Sequence, residues 1–435
     1  MENEKLETNI VKLKTLTSLI TKGTTPSNVG ETFSESGIMY FRSELVGKSK
    51  YIDKSSGLLF ISQETDNKLK RSRIKKNDIL FSMAGAYLGK VSIVGPDDYP
   101  ANTNQAVAII RLSDLNTSVD YIYYYMKQNW FNEYVTSLTA QAAQPNINLE
   151  QIGKLRINLP PLPTQQKIAS ILSTYDNLIQ NYKKQIEALQ TAASELYKEW
   201  FVRFRFPGYK NVDMKDSSIG KIPKTFEVKK QNEVIKDYIG GGWGEDEQSE
   251  QFSIEAAVVR GADFPELTNG DITTCPVRYH KASNYNSRII EPEDIVLEVS
   301  GGTQEQPVGR TVIVSEERLK RFNNKLICAS FCKLIKLNKS IISPLFYYYW
   351  MQFVYDTRII DRYQLQSTGI INFKFEYFLR KGDVLLPPKD LMNSFEEQVK
   401  VIHSRIEKLA IGIENLTQLR DLLLPRLMSG KLEVE

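Results

Sequence analysis

At 435 residues, with 41% hydrophobic and 25% charged side chains, the chain has a globular composition and enough length for two or three domains, which excludes a disordered chain and a disulfide-stapled mini-protein. The 56 Lys and Arg against 52 Asp and Glu leave a net charge of only +4, so any nucleic-acid-binding surface has to be local. Three cysteines (Cys275, Cys328, Cys332) without a CxxC, and two histidines (His280, His403), give no basis for a zinc site, a His-based catalytic centre or a disulfide framework. The charged opening Met1 to Lys5 leads into no apolar segment, and the most apolar run, Leu345 to Tyr355, is about half the ~20 residues a membrane helix needs. A cytoplasmic protein is the expectation.

In chain order, the first distinctive feature is basic. Lys68, Lys70, Arg71, Arg73, Lys75 and Lys76 place six cations in nine residues, with Lys48, Lys50 and Lys54 upstream. Short β-branched segments follow, Lys90 to Val94 and Ala106 to Ile110, bounded by Gly, Pro, Asn and Asp as strands are. Asp120 to Tyr134 reads as one amphipathic helix whose tyrosine triplet belongs to a core. After Pro161-Leu162-Pro163, apolar residues at Ile168, Ile171, Tyr175, Leu178, Tyr182, Ile186, Leu189, Ala193, Leu196 and Trp200 keep a near-heptad spacing, predicting a helix roughly 50 Å long. Strands return at Asp294 to Val299 and Arg310 to Val314, and a helix at Pro344 to Asp356. A second heptad seam then runs Phe395, Val399, Ile402, Ile406, Leu409, Ile413, Leu416, Leu419 and Leu423; Ser394 to Glu397 supplies a capping box and Pro425 is expected to end it.

These elements recur. Asn77-Asp78-Ile79-Leu80-Phe81 returns as Glu293-Asp294-Ile295-Val296-Leu297, Tyr123-Tyr124-Tyr125 as Tyr347-Tyr348-Tyr349, Ile147-Asn148-Leu149 as Ile371-Asn372-Phe373, and Leu159-Pro160-Pro161 as Leu386-Pro387-Pro388. The order is kept while small insertions lengthen the offset, including four residues around Gln304 to Pro307. A repeat of this period organises the whole chain. The expected fold is mixed α/β (α+β): two similar globular domains, residues 1–158 and 206–387, separated by a central spacer helix (159–205) and a C-terminal one (388–435). Neither helix can bury its seam alone, so an antiparallel two-helix coiled coil with a pseudo-twofold internal repeat is the economical arrangement.

Catalytic motifs are missing. Gly85-Ala86-Tyr87-Leu88-Gly89-Lys90-Val91 is one residue short of a phosphate-binding loop and ends in Val where Ser or Thr is needed. Gly240 to Gly244 lacks the strand-turn-helix setting and distant acid of a dinucleotide or methyl-donor site. Binding chemistry is present instead. The basic run Lys68 to Lys76 suits phosphates. Asn and Gln pair with adenine edges and Arg with guanine, so the polar stretches carrying Tyr87, Lys90, Asn104, Gln105, Gln141 and Gln144 are candidates for DNA contact in the first domain. Arg278, Arg288, Thr303, Gln304, Gln306, Arg310, Asn324, Gln364 and Gln366 are candidates in the second.

The phrases Leu159-Pro160-Pro161-Leu162-Pro163-Thr164-Gln165-Gln166-Lys167-Ile168-Ala169, Glu195-Leu196-Tyr197-Lys198-Glu199-Trp200-Phe201-Val202, Phe204-Arg205-Phe206-Pro207-Gly208 and Leu424-Pro425-Arg426-Leu427-Met428-Ser429-Gly430-Lys431-Leu432 resemble the specificity subunit of type I restriction-modification systems, over essentially the whole chain. The resemblance implies two target-recognition domains that each read one half of a split double-stranded DNA sequence. It implies a chain that catalyses nothing and binds no cofactor, S-adenosylmethionine being held by two partner methyltransferase subunits, with a restriction/translocase subunit added. Ile171, Leu178, Ile186, Leu189, Leu196, Trp200, Val399, Ile402, Ile406, Leu409, Ile413 and Leu416 would then form the spacer and partner interface. The alternative is a cytoplasmic coiled-coil scaffold that does not read DNA.

Overall fold

The computed structural model describes residues 9–54, 57–139, 145–303, 306–367 and 370–434. The chain divides into two units, residues 1–179 with 415–435, and residues 180–414.

The first unit holds β1 (Asn9–Lys12), β2 (Thr17–Lys22), β3 (Ile38–Phe41), β4 (Leu59–Ile61), α1 (Gln63–Lys68), β5 (Ile79–Ser82), β6 (Val91–Ile93), β7 (Ala101–Thr103), β8 (Val107–Leu112), α2 (Val119–Lys127), α3 (Asn129–Ser137), α4 (Leu149–Lys154) and β9 (Arg156–Leu159), then enters the long helix α5 (Leu162–Tyr197). A four-stranded antiparallel sheet runs β2-β8-β5-β6, and a three-stranded one runs β4-β3-β7 with β3 and β7 parallel. β1 closes on β9. The β-branched and aliphatic strands found by alternation are buried on both faces, Ile79 and Phe81 toward α2 and Leu80 and Ile109 toward the second sheet. Ser118 accepts the Tyr121 N–H to start α2, and Asn148 with Gln151 forms a capping box on α4.

The second unit repeats that plan. It contains a hairpin, β10 (Met214–Ser217) and β11 (Gly220–Pro223), then β12 (Glu227–Lys230), α6 (Gln231–Val234), β13 (Ile235–Gly240), β14 (Ile254–Val259), α7 (Phe264–Thr268), β15 (Val277–His280), α8 (Ala282–Arg288), β16 (Ile295–Glu298), β17 (Ser300–Gly302), β18 (Thr311–Ile313), α9 (Glu316–Arg321), β19 (Leu326–Cys328), β20 (Cys332–Leu337), α10 (Pro344–Asp356), β21 (Gln364–Ser367), β22 (Ile370–Phe373), α11 (Phe375–Lys381), β23 (Asp383–Leu386) and α12 (Lys389–Met428). The sheets β13-β20-β16-β18 and β15-β14-β19 repeat the strand orders of the first unit, again with one parallel pair, and β12 closes on β23 as β1 does on β9. Matched strands lie 216 residues apart at β5 and β16, 220 at β6 and β18, 225 at β8 and β20 and 227 at β9 and β23. The step from 216 to 220 is the four-residue insertion read from sequence.

Repetition reaches single side chains. Asn77 (φ 67°) and Glu293 (φ 70°) both adopt the left-handed region in the turn entering β5 and β16. Asp78 and Asp294, which follow, each accept a backbone N–H from three residues upstream at 2.8 Å, and pair with Arg111 (2.7 Å) and Lys336 (3.7 Å). Burial pushes Asp294 up to about 6. Both β2 and β13 carry a bulge at their start, between Thr17 and Leu19 and between Ile235 and Asp237.

The 36-residue α5 and 40-residue α12 pack on each other in antiparallel fashion, as the seams require. In the second unit Ile186 meets Ile406, Leu409 and Ala410, with Tyr182, Leu189, Ile402 and Ile413 around them. Farther along, Tyr197 and Trp200 pack against Phe395, and Leu196 and Val399 join the same core. In the first unit Ile168 and Leu172 of α5 share a core with Leu424, Leu427 and Met428 of α12. There Asp176 pairs with Arg420 at 2.5 Å and accepts the Tyr124 hydroxyl at 2.6 Å. The caps Ser118 and Ser343 of α2 and α10 match, which pairs Tyr124 with Tyr349, one residue on from the match read from sequence; Tyr349 and His403 stand in the same relation in the second unit, 2.8 Å apart.

Five sequence expectations are corrected. Asp120 to Tyr134 is two helices, because Gln128 takes an extended backbone (ψ 143°) between α2 and α3. The seam of α5 in the first unit passes through Leu172, Asp176 and Ile179; Ile171 and Leu178 are each 37% exposed, one residue out of phase. α12 starts at Lys389, so Ser394 lies inside it, and it runs through Pro425 to Met428. In the last turn the proline removes one N–H donor and the helix ends three residues later. Leu419, expected in the seam, is 49% exposed, while Leu416 is half-buried.

Candidate nucleic-acid interface

In the first unit one end of the sheet β2-β8-β5-β6 gathers the polar loops. The register pairs Lys22 with Ala108, Ser82 with Val107 and Phe81 with Val91, so the segments after β2, before β8 and between β5 and β6 emerge together. Gly23 allows the first two to touch: a Cβ there would lie 1.8 Å from the Thr103 carbonyl oxygen. The Thr25 hydroxyl donates to the Gln105 side-chain carbonyl, and Asn104 accepts the Ala106 N–H at 3.2 Å. Arg71 reaches Thr24 at 3.5 Å from the turn after α1. Ala84 bridges to Asn146, which with Lys22, Gln105 and Asn148 lines a groove. Exposed Tyr87 and Lys90 stand on the loop between β5 and β6.

The basic run does not act as one cluster. Lys68 is held by Glu31 and Glu64, and Arg73 by Asp66 at 2.7 Å. Lys75 and Lys76 are exposed in the turn leading into β5, at the opposite end of the sheet from Gln105, while Lys70 is exposed beside Arg71. Lys50, upstream, is buried against Asp120 (2.8 Å) and Ser173 (2.8 Å), and Lys54 pairs with Asp98. Gln141 and Gln144 lie outside the described residues.

The matching end of the second unit has different chemistry. Gly241, the counterpart of Gly23, lets the segment after β13 approach the turn between β19 and β20: its Cβ would stand 2.1 Å from the Ala329 carbonyl oxygen. Arg288 donates to the Gly240 carbonyl at 2.9 Å. Arg278 lies over the Trp243 ring, 4.7 Å from its centroid, and pairs with Asp246. Phe331 (63% exposed) projects from the turn before β20, Leu365 (53%) from β21 and Ile370 (49%) from β22. Thr303 accepts the Gln306 N–H at 3.1 Å, and Gln364 donates to Asp361 at 2.9 Å. Asn324 sits in the left-handed region (φ 58°) ahead of β19, at the other end of its sheet. Gln304 and the side chain of Gln366 lie outside the described residues.

Arg310 faces inward. Its guanidinium makes two bonds to Glu298, 2.8 and 2.6 Å, and packs over Phe264. Burial opposes its charge, and Glu298 outweighs burial, so the guanidinium stands above its usual value. Residues that the sequence reading passed over include Lys22, Thr25, Trp243 and Phe331. Trp243 lay in the glycine-rich stretch set aside as a nucleotide site; Phe331 carried no local signal.

Comparison with known proteins shows what the chain is similar to. Residues 6–191 match the family model of the type I restriction modification DNA specificity domain. The type I restriction enzyme MjaIX specificity subunit of Methanocaldococcus jannaschii is 25% identical, covering 95% of this chain and 91% of its own. These matches make the chain similar to the specificity subunits of type I restriction enzymes, with the family's DNA specificity domain matched over residues 6–191. A further specificity subunit, that of the HindI enzyme of Haemophilus influenzae, is 22% identical over 83% of this chain and 88% of its own. The crystal structure of the type I S subunit from M. genitalium shares the fold, with a TM-score of 0.51 at 14% identity, covering 98% of this chain and 97% of that one. The two loop-bearing sheet ends carry Tyr87, Lys90 and Gln105 in the first unit and Trp243, Arg278 and Phe331 in the second. Among the described residues no helix is long and apolar enough to cross a membrane.

Proposed function

We propose that this chain is a specificity subunit that reads a bipartite, asymmetric DNA target, one half-site at each of the two sheet ends, and performs no chemistry itself. The observation that carries this reading is the internal repeat in which the framework is kept and the loop residues are not. Lys22, Thr25, Asn104 and Gln105 of the first unit stand where Gly240, Trp243, Ala329 and Ser330 stand in the second. A shared scaffold with unlike readers is what an asymmetric split sequence needs. Because α5 and α12 each run unbroken from one unit into the other, their length would set the gap between the half-sites.

Partners in this reading are two methyltransferase subunits that hold S-adenosylmethionine, with a restriction/translocase subunit bound through them. Ile171, Leu178, Leu419 and Leu422, large apolar side chains left exposed on the helices of the first unit, suit a protein partner and support docking there. The test is mapping of modified bases in cells that express the chain with its modification subunits. One extra helical turn is added to α5 after Ile179 and, in register, to α12 before Asn415. The expected result is a two-part motif whose halves are unchanged and whose gap grows by about 2 base pairs, since a turn of ~5.4 Å compares with ~3.4 Å per base pair. A motif with an unchanged gap would remove the ruler, and modification without this chain would remove the reading itself.

A further inference from the structure

The turn between β19 and β20 is fixed from every side. The Cys332 N–H bonds to the Ala329 carbonyl at 2.8 Å across the turn, and the Ala329 N–H to Val259 at 2.8 Å. The Phe331 carbonyl accepts from Val299 at 2.9 Å, while the Gly241 and Gly242 N–H groups bond to the carbonyls of Cys332 (3.0 Å) and Cys328 (2.9 Å). From this clamped backbone Phe331 presents its ring to solvent, 63% exposed, beside the strip Gly240 to Trp243 and the Arg288 side chain that crosses it. Its counterpart in the first unit is Ala106, next to Gln105. Phe331 thus holds a large apolar ring on a rigid tip, at the end of the sheet where the first unit places amides.

We infer that Phe331 is a specificity-determining residue of the second recognition unit and that it reads the C5-methyl group of a thymine in the second half-site. The proposal rests on the reading above that this sheet end faces DNA. Apolar side chains distinguish thymine in the major groove by contact with that methyl, which neither cytosine nor the opposite strand's adenine presents. Pre-ordered backbone favours such a contact, because little motion of the tip has to be frozen on binding. Arg288 donates its Nε to Gly240 and its Nη1 to Asn284 and Ser287, which fixes the strip beside the turn, and the first unit, with Gln105 and Asn104, would read its half-site through hydrogen bonds instead.

The experiment uses the full chain assembled with its modification subunits. Three duplexes are compared by fluorescence anisotropy: the sequence mapped from modified bases, the same duplex with each thymine of the second half-site replaced in turn by deoxyuridine, and an unrelated duplex. One deoxyuridine replacement is expected to weaken wild-type binding roughly fourfold, the worth of about one methyl group. Phe331→Ala should weaken target binding at least as much, become indifferent to that replacement and leave the unrelated duplex unaffected. Phe331→Leu, which keeps an apolar tip, should retain sensitivity to the methyl group. Wild-type affinity for Phe331→Ala, additive losses, or no response to any deoxyuridine would overturn the inference. A wild-type complex that fails to separate the mapped target from the unrelated duplex would overturn the reading beneath it.

Discussion

Replacing Arg420 by Met tests how the helix pair is held in the first unit. Asp176 and Arg420 have side chains only 8% and 12% exposed, 2.5 Å apart, and the Tyr124 hydroxyl adds a 2.6 Å bond to the carboxylate. Two charges so placed have lost most of their hydration, and the attraction between them roughly offsets that loss. Removing one partner is a different matter, because the carboxylate stays buried with a single tyrosine donor. Arg420→Met should therefore cost about 3–5 kcal/mol. For a unit of this size that is a fall of roughly 6–20 °C in the unfolding midpoint of the first unit, followed by calorimetry of the full chain. The triple change Asp176→Leu, Arg420→Met and Tyr124→Phe removes the three groups joined at the carboxylate, leaving Ser173 to Lys50 and Asp421 to solvent, and should return to within about 1 kcal/mol of wild type. If Arg420→Met alone costs less than about 1 kcal/mol, Asp176 is hydrated in solution and the burial argument fails.

Two further outcomes follow from buried groups in the second unit. Burial, and then the neighbouring Arg318, hold the His403 imidazole down at about 4 against an ordinary 6.5. The unfolded chain therefore takes up this proton first as pH falls. Stability present above pH 6.5 is lost toward pH 4, by roughly 3 kcal/mol, and the urea midpoint of His403→Gln should be flatter across that window. Arg310→Met should leave Glu298 unpaired and destabilise by about 3–5 kcal/mol while the modified sequence stays the same; a changed sequence at unchanged midpoint would make Arg310 a reader.

Much of this was legible in the sequence because the repeat and the long helices are carried by many residues at once. Four phrases in order located the two units, and alternation located strands such as β6, β8, β16 and β18. The phase of α5 was not legible. Counting apolar residues leads through Ile171 and Leu178, whereas the buried line passes through the charged Asp176, and nothing nearby announces that Arg420 and Tyr124 will satisfy it. The break at Gln128 lacks the glycine or proline that usually marks one. At the recognition ends, composition pointed to cations and amides, but Lys50, Lys68, Arg73 and Arg310 are answered by Asp120, Glu31, Asp66 and Glu298, partners distant in sequence or hidden by it. Conversely Phe331 looks like any core phenylalanine until the turn that carries it is seen to be pinned with its ring outside.

The first unit is assembled from residues on both sides of the second: Leu424, Leu427 and Met428 complete the core that Ile168 and Leu172 begin. A ribosome delivers those closing residues only after all of the second unit has been made. The usual order, in which the earlier portion folds first, is thereby reversed, since residues 180–414 can finish as a contiguous piece while the opening portion waits with an apolar helix face uncovered. Nascent chains halted before Asn415 should bind holding chaperones through that face, and release of the last stretch should free them.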